Sequence, residues 1–282
     1  MASSNSNLNT VYTNTTATNT NTNTNTNTKR NSPNKNKNTR KNNNAKVINF
    51  QNFRFNVSKD RDYIKIKVGP EDFCSKILIP LDKDDNNAVL SLFVYGEDCN
   101  ITKNLAKSNG TKTMMKTIIN FIKSQYPHIN TLVLTDASIF ICMKYENSTR
   151  EDAYINPGIS MYDIYLCKYG VGYYEKNYGF KLMSADSLEQ QAKNSKIVNE
   201  IEMTNELLYG LQAYIISEPQ IIPADISLLR KQINIGETLA NFIKRIKITP
   251  ENCGAIMALF SYCKVIYEDF KDLPSTLYAL SI

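Results

Sequence analysis

Phe53-Arg54-Phe55-Asn56-Val57 alternates apolar and polar residues with period two, and Tyr63 through Val68 does the same. Successive side chains of a strand point to opposite faces, so each stretch predicts a half-buried strand. The polar stretch Ser58 to Asp62 between them predicts a hairpin turn. Ser75 to Leu81 predicts a third strand, whose Pro80 belongs at an edge or an end because proline cannot donate to a ladder. Residues 88–95, AVLSLFVY, are almost continuously apolar and predict a central strand buried on both faces. Met114, Met115, Ile118, Ile119, Ile122 and Tyr126 then recur at spacings of three and four, one face of a helix over 111–125 that Pro127 stops. Residues 131–136 predict a short buried strand. A strand, a helix and a strand in that order predict a right-handed crossover with parallel pairing.

Ile139 to Met143 reads as a further strand and 145–158 as an exposed loop. Ser160 can cap a helix over Tyr162 to Tyr169, which Gly170 and Gly172 interrupt. Residues 179–183 predict a last strand. From Ser187 the spacing is helical throughout, with helices over Ile226 to Ile246 and Glu251 to Tyr267, the latter opened by Thr249-Pro250. The expected organisation is therefore a mixed α/β domain over 47–185, a mixed central sheet with flanking helices, and an all-α C-terminal extension over 186–282. That extension is a small core by itself and is expected to dock on the first domain.

The first 46 residues are Asn, Thr and Ser with an Asn-Thr repeat, and hold only Met1, Leu8, Val11 and Tyr12 as large apolar residues. Burying so little cannot offset the entropy of ordering, so a disordered tail is expected. Composition changes the picture of charge. The chain is formally +6, but Lys29, Arg30, Lys35, Lys37, Arg40, Lys41 and Lys46 all lie in the tail, which has no acid, and the remainder is −1. A solvated tail is the expectation; the alternative is contact with nucleic acid, through the tail only and as sequence-independent phosphate binding. The six cysteines lie ten or more positions apart, which excludes a CxxC knuckle, and reduced thiols in a cytoplasmic setting are expected. Neither an apolar leader nor an apolar run of roughly 18 residues is present, so neither secretion nor a membrane span is expected. The single histidine, His128, reads as a surface loop residue and leaves no imidazole triad or multi-histidine metal site. No metal is expected.

Lys107-Ser108-Asn109-Gly110-Thr111-Lys112 lies between a predicted strand and a helix N-terminus. The first amides of a helix have no internal partners and the dipole adds positive potential, so the turn suits a pyrophosphate; it equally suits a simple helix cap. It is neither a Walker loop nor a three-glycine dinucleotide fingerprint.

Tyr173-Tyr174-Glu175-Lys176-Asn177-Tyr178-Gly179-Phe180 adds a second motif. With the turn, it resembles the GNAT superfamily of N-acetyltransferases, which pairs an Arg/Gln-x-x-Gly-x-Gly/Ala turn after a central strand with a later helix ending in a Tyr-(Glu)-(Lys)-x-Gly-Phe stretch. Leu134 to Ser138 and Tyr174-Glu175-Lys176 are also similar to acetyltransferase-like proteins of large DNA viruses. The likeness covers 47–185, about half the chain. It implies acetyl-coenzyme A, with the pyrophosphate on the turn 107–112 and the pantetheine between strands 88–95 and 131–136. It implies an amine acceptor, a small molecule or a protein, that attacks the thioester directly. Tyr174 would be the acid that protonates the thiolate, and Glu97, Asp98 or Asp136 the base; each carboxylate can equally be a loop or capping group. Two departures stand out. Lys112 replaces a small residue, and four residues rather than three separate Tyr174 from Gly179, which turns a helix by about 100° and makes Tyr173 or Tyr178 alternatives. A fold without turnover, structural or virion-associated, is the second expectation. The sequence does not set the oligomeric state.

Overall fold

A computed structural model of the protein describes residues 45–70, 74–93, 99–101, 107–142, 157–217 and 226–282, with the backbone alone for 107–109. The expected tail lies outside the described residues, except that Lys46 opens a strand instead of closing the tail. Glu97 and Asp98 also lie outside them. Residues 42–282 form one compact unit.

The architecture is mixed α/β, with an eight-stranded mixed sheet among the described residues. It begins with β1 (Lys46–Phe50), β2 (Phe53–Lys59), β3 (Tyr63–Val68), β4 (Ser75–Pro80) and β5 (Asn87–Phe93), each antiparallel to the next. Helix α1 (Lys107–Gln125) then crosses over to β6 (Thr131–Thr135), which is parallel to β5. The strand β7 (Ile139–Ile141) pairs instead with β8 (Gly158–Ser160) in a separate small ladder. Helices α2 (Met161–Tyr169) and α3 (Tyr173–Tyr178) follow, then β9 (Lys181–Leu182). A helical stretch comprises α4 (Ala185–Ile197), α5 (Asn205–Ser217), α6 (Ile226–Gln232), α7 (Leu239–Arg245) and α8 (Pro250–Ile266). The chain closes with β10 (Leu277–Ser281), which inserts between β6 and β9.

Three expectations are corrected here. The extension 186–282 is not all-α: its last strand is antiparallel to both β6 and β9, so it belongs to the main sheet. The helix expected over Ile226 to Ile246 is two, α6 and α7, because Gly236 turns the chain at φ +87 between them. Strand β5 is central in order but buried on one face only; Asn87 and Ser91 are exposed and Val89 half-buried.

Residues paired across strands point to the same face, which makes the core a set of rows. One row runs Val57, Ile66, Ile77, Leu90, Leu134, Tyr278 and Leu182 across seven strands. All but Val57 are buried. On the same face Phe55 stacks on Phe121 of α1, with ring centroids 4.0 Å apart. The periodic apolar residues of α1, Met114, Met115, Ile118 and Ile122, are buried as their spacing predicts. The opposite face of β2–β4 carries Arg54, Asn56, Lys65, Lys67 and Lys76, exposed or half-buried, which is why those strands alternate so cleanly.

The helical stretch is anchored by polar contacts as well as by packing. Lys264 of α8 donates to Asp163 of α2 at 2.8 Å and to Asp272 at 2.7 Å. Two disulfides overturn the expectation of reduced thiols. Cys74 is bonded to Cys99, and Cys142, just past β7, to Cys253 in the first turn of α8. The partners are 25 and 111 residues apart, so spacing along the chain gave no signal. Disulfides persist in oxidising surroundings, which removes the premise of a cytoplasmic setting. Cys167 and Cys263 are free and buried, and burial pushes both thiols up. Among the described residues no helix is long and apolar enough to cross a membrane.

Candidate functional site

The site begins where the two parallel strands part. β5 and β6 pair through four positions, from Asn87 opposite Thr131 to Leu90 opposite Leu134. Beyond that, Leu92 and Phe93 stay with β4, while Thr135 stays with β10. The cause is a bulge. Ile77 faces Leu90 and Lys76 faces Leu92, so Ser91 is an extra residue in β5, its hydroxyl donating to the Lys76 carbonyl at 3.3 Å. An extra residue bends its strand and strengthens the local twist, which carries the end of β5 away from β6. Among the described residues no strand pairs with Ser91–Phe93 on the β6 side. A crevice at the carboxyl ends of parallel strands is the usual ligand position in α/β sheets.

Helix α1 starts close to that point, four residues earlier than its apolar periodicity predicts. Lys107 to Lys112 are therefore helix and not a preceding turn. The amides free of intrahelical bonds shift accordingly to Lys107, Ser108 and Asn109, whereas Gly110, Thr111 and Lys112 fall within the helical ladder. Gly110 is buried and Lys112 is exposed.

Asp136 follows the last residue of β6. Its Oδ1 accepts from the Ser138 amide at 2.8 Å and from the Ser138 hydroxyl, an arrangement that turns the chain out of the sheet. Its Oδ2 is buried with no hydrogen-bond partner. Burial raises the carboxyl above the usual carboxylate range, and the neighbouring Asp163 adds to this, against the lowering effect of Ser138.

Helix α3 places three tyrosines in three directions. It is capped at Gly172, whose amide donates to Glu175 Oε2 at 2.8 Å, and it ends at Gly179 with φ +78. Tyr174 points inward. It is buried, and its ring lies 6.2 Å from Tyr278 and 5.9 Å from Phe180. Burial, with Asp136 nearby, pushes its hydroxyl well up. Tyr178 packs edge-on against Phe93 at the end of β5, centroids 6.1 Å apart. The Tyr173 hydroxyl is 3.4 Å from that of Tyr178 and hydrogen-bonds Thr111 in α1. Tyr178 thus sits at the end of β5 with the Tyr173 hydroxyl beside it, and Tyr174 is buried against Tyr278 of β10.

The structure brings Asp136, Tyr173, Tyr174, Tyr178 and the start of α1 to one end of the sheet. Glu97 lies outside the described residues, as do the side chains of Lys107, Ser108 and Asn109. His128 is in a loop, as expected, but half-buried, with its Nε2 out of solvent and unpartnered. No group of three or more His, Cys, Asp or Glu residues able to hold a metal occurs among the described residues.

Sequence reasoning missed Tyr278. It sits in β10 with its side chain fully buried, beside Tyr174, and its hydroxyl has no partner. The pattern of β10, Leu277-Tyr278-Ala279-Leu280, is too short and too uniformly apolar to separate from a helix end. Compared with family models, curated proteins and solved structures, the chain finds no match.

Proposed function

We propose that the protein is an acetyl-coenzyme A-dependent N-acetyltransferase that acts on an amine by direct attack. The observation that carries this reading is the parting of β5 and β6 at Ser91, next to the start of α1. The unpaired side of Ser91–Phe93 fits an extended amide-bearing chain such as pantetheine, which would bind as an added strand does. The free amides at Lys107 to Asn109 fit a diphosphate at a helix N-terminus.

Acetyl-coenzyme A, when bound, supplies the activated acetyl group. The chain's residues orient it and handle two protons. Asp136, its carboxyl raised by burial, is a base closer to neutrality than an ordinary carboxylate, and accepts the proton that the amine loses on forming its bond to the acetyl carbon. The sulfur that leaves takes a proton from a tyrosine. Tyr178, at the opening, is better placed to donate it than the buried Tyr174. The acceptor is an amine of a small molecule or a protein.

A second reading, a fold of this kind retained for binding without turnover, is favoured by the contacts of Tyr178 with Phe93 and Tyr173 with Thr111, which close the opening from the α3 side. Calorimetry with acetyl-coenzyme A, followed by release of free thiol in the presence of a panel of amines, separates the two. Binding plus thiol release that Tyr178→Phe lowers at least tenfold supports the enzyme. Binding without release supports the second reading, and no binding at millimolar ligand removes both.

A further inference from the structure

Six buried side-chain polar atoms lack a hydrogen-bond partner among the described residues, and Asp136 Oδ2, Tyr162 Oη and Tyr278 Oη are three of them. A buried polar atom left without a partner is costly, so such atoms are uncommon, and several together ask for a shared explanation. The three come from different elements: Asp136 follows β6, Tyr162 lies in α2 and Tyr278 in β10, and the last two meet at Gly172.

β10 lies antiparallel to β6 with Leu277 opposite Thr135 and Tyr278 opposite Leu134. The Asp136 amide continues the ladder by donating to the Thr276 carbonyl at 2.8 Å. Asp136 and Tyr278 are therefore diagonal neighbours on one face of the sheet, a separation that long side chains span. A Cβ added at Gly172 would stand 2.5 Å from Tyr278 Oη and 3.4 Å from the Tyr162 ring, so only glycine lets α3 begin against that hydroxyl. Asp136 and Tyr278 do not bond each other directly.

We propose that Tyr278 is a positioning residue for Asp136: its hydroxyl donates through one bridging water to Oδ2 and holds the carboxylate towards the crevice. Tyr278 Oη and Asp136 Oδ2 would be the two polar partners such a water needs. Its role in acetyl transfer rests on the enzymatic reading above; the contact itself does not. The other titratable groups acting on Asp136 are Asp163 from α2 and Tyr174 from α3. Neither of them is a cation, so neutral donors keep this carboxylate ionisable, Ser138 at Oδ1 and the Tyr278 hydroxyl at Oδ2.

The test is a pH titration of the Asp136 carboxyl by carbon NMR, in the full chain with labelled aspartate, for the native protein and Tyr278→Phe. Asp136→Asn identifies the signal. Loss of a donor to the charged form favours the neutral form, so the midpoint in Tyr278→Phe is expected to rise by about one pH unit, a tenfold change in proton affinity. Where thiol release is measurable, its acid limb moves to higher pH by the same amount. A midpoint that stays in place or falls overturns the proposal. A hydroxyl that only fills space would instead leave the midpoint alone, while its removal stabilises the fold. The titration needs no cofactor, so failure of acetyl-coenzyme A to bind removes the enzymatic reading and leaves this contact to stand or fall alone.

Discussion

The two ends of the segment that leads into β10 treat buried polar groups in opposite ways. On the helical side nearly every one is satisfied. Asn194 of α4 donates to the Lys271 carbonyl at 2.7 Å and accepts from the Lys271 amide at 3.2 Å and from Gln190 at 2.9 Å. Ser187 donates to the Ser275 carbonyl at 2.8 Å and accepts from its amide at 3.0 Å. Asn252 caps α8 by accepting from the Thr249 amide at 2.8 Å and donating to Lys247 and Gln232. Gln191 Oε1 is the exception. On the crevice side Asp136, Tyr162 and Tyr278 each keep an unpartnered oxygen, and Asp163 does so beside them. Satisfied polar groups specify one arrangement of the chain, here the path by which residues 267–276 return β10 to the sheet. Unsatisfied ones hold free energy in reserve for a water, a proton or a substrate, and one of them, Asp136 Oδ2, lies just past the end of β6.

The largest effect is expected where the two regions are tied together. Replacing Cys142 and Cys253 with serine opens a loop of 111 residues. On the chain-entropy account this lowers stability by about 5 kcal/mol, against about 3.5 for the shorter Cys74–Cys99 loop, as read by urea unfolding of each pair of variants. Equal losses, or none, would show that the helical stretch is held by packing alone.

Asn194→Ala comes next. It leaves both main-chain groups of Lys271 without the Asn194 side chain that pairs them. The expected loss is about 3 kcal/mol, with a weakened β10 seen as faster amide exchange at Tyr278 and Leu280. A loss under about 1 kcal/mol would erase the contrast drawn above, since the satisfied network would then matter no more than the unsatisfied one.

The smallest effect has the opposite sign. Asp136→Asn is expected to stabilise the protein at neutral pH by about 1 kcal/mol, because it removes a charge held in a buried, underpartnered place. The folded carboxyl titrates above its unfolded value. Stability linked to it is therefore complete below the usual carboxylate range and is lost as pH rises towards the raised value. The gain in Asp136→Asn should vanish in acid and grow towards neutrality, as thermal melts across pH would show. A variant less stable than the native protein at every pH would mean that the carboxylate is well solvated.

Much of the local structure was legible because its causes are local. The alternation in β2 and β3 reflects one buried face and one face of lysine and asparagine. The spacing in α1 reflects the stripe it lays on Phe55 and its neighbours. Thr249-Pro250 marked the start of α8 correctly, since proline suits the first helical position. Asp136 and the tyrosine stretch were legible as candidates, and which tyrosine faces the opening was not. That depends on where α3 begins, which Gly172 and Glu175 set.

By itself, the sequence determined a basic, acid-free, apolar-poor beginning with seven cations, and the strand and helix periods beyond it. Those follow from side-chain type and from distances of a few residues. Tertiary structure alone decided that β10 enters the sheet between β6 and β9, that Cys142 meets Cys253, that Ser91 bulges, and that Tyr278 comes to lie beside Asp136. The partners in the first, second and fourth of these are separated by about a hundred residues or more, and the bulge depends on the register of a neighbouring strand. Contacts of that range are set by what the whole core can pack, and no window along the chain contains both halves of them.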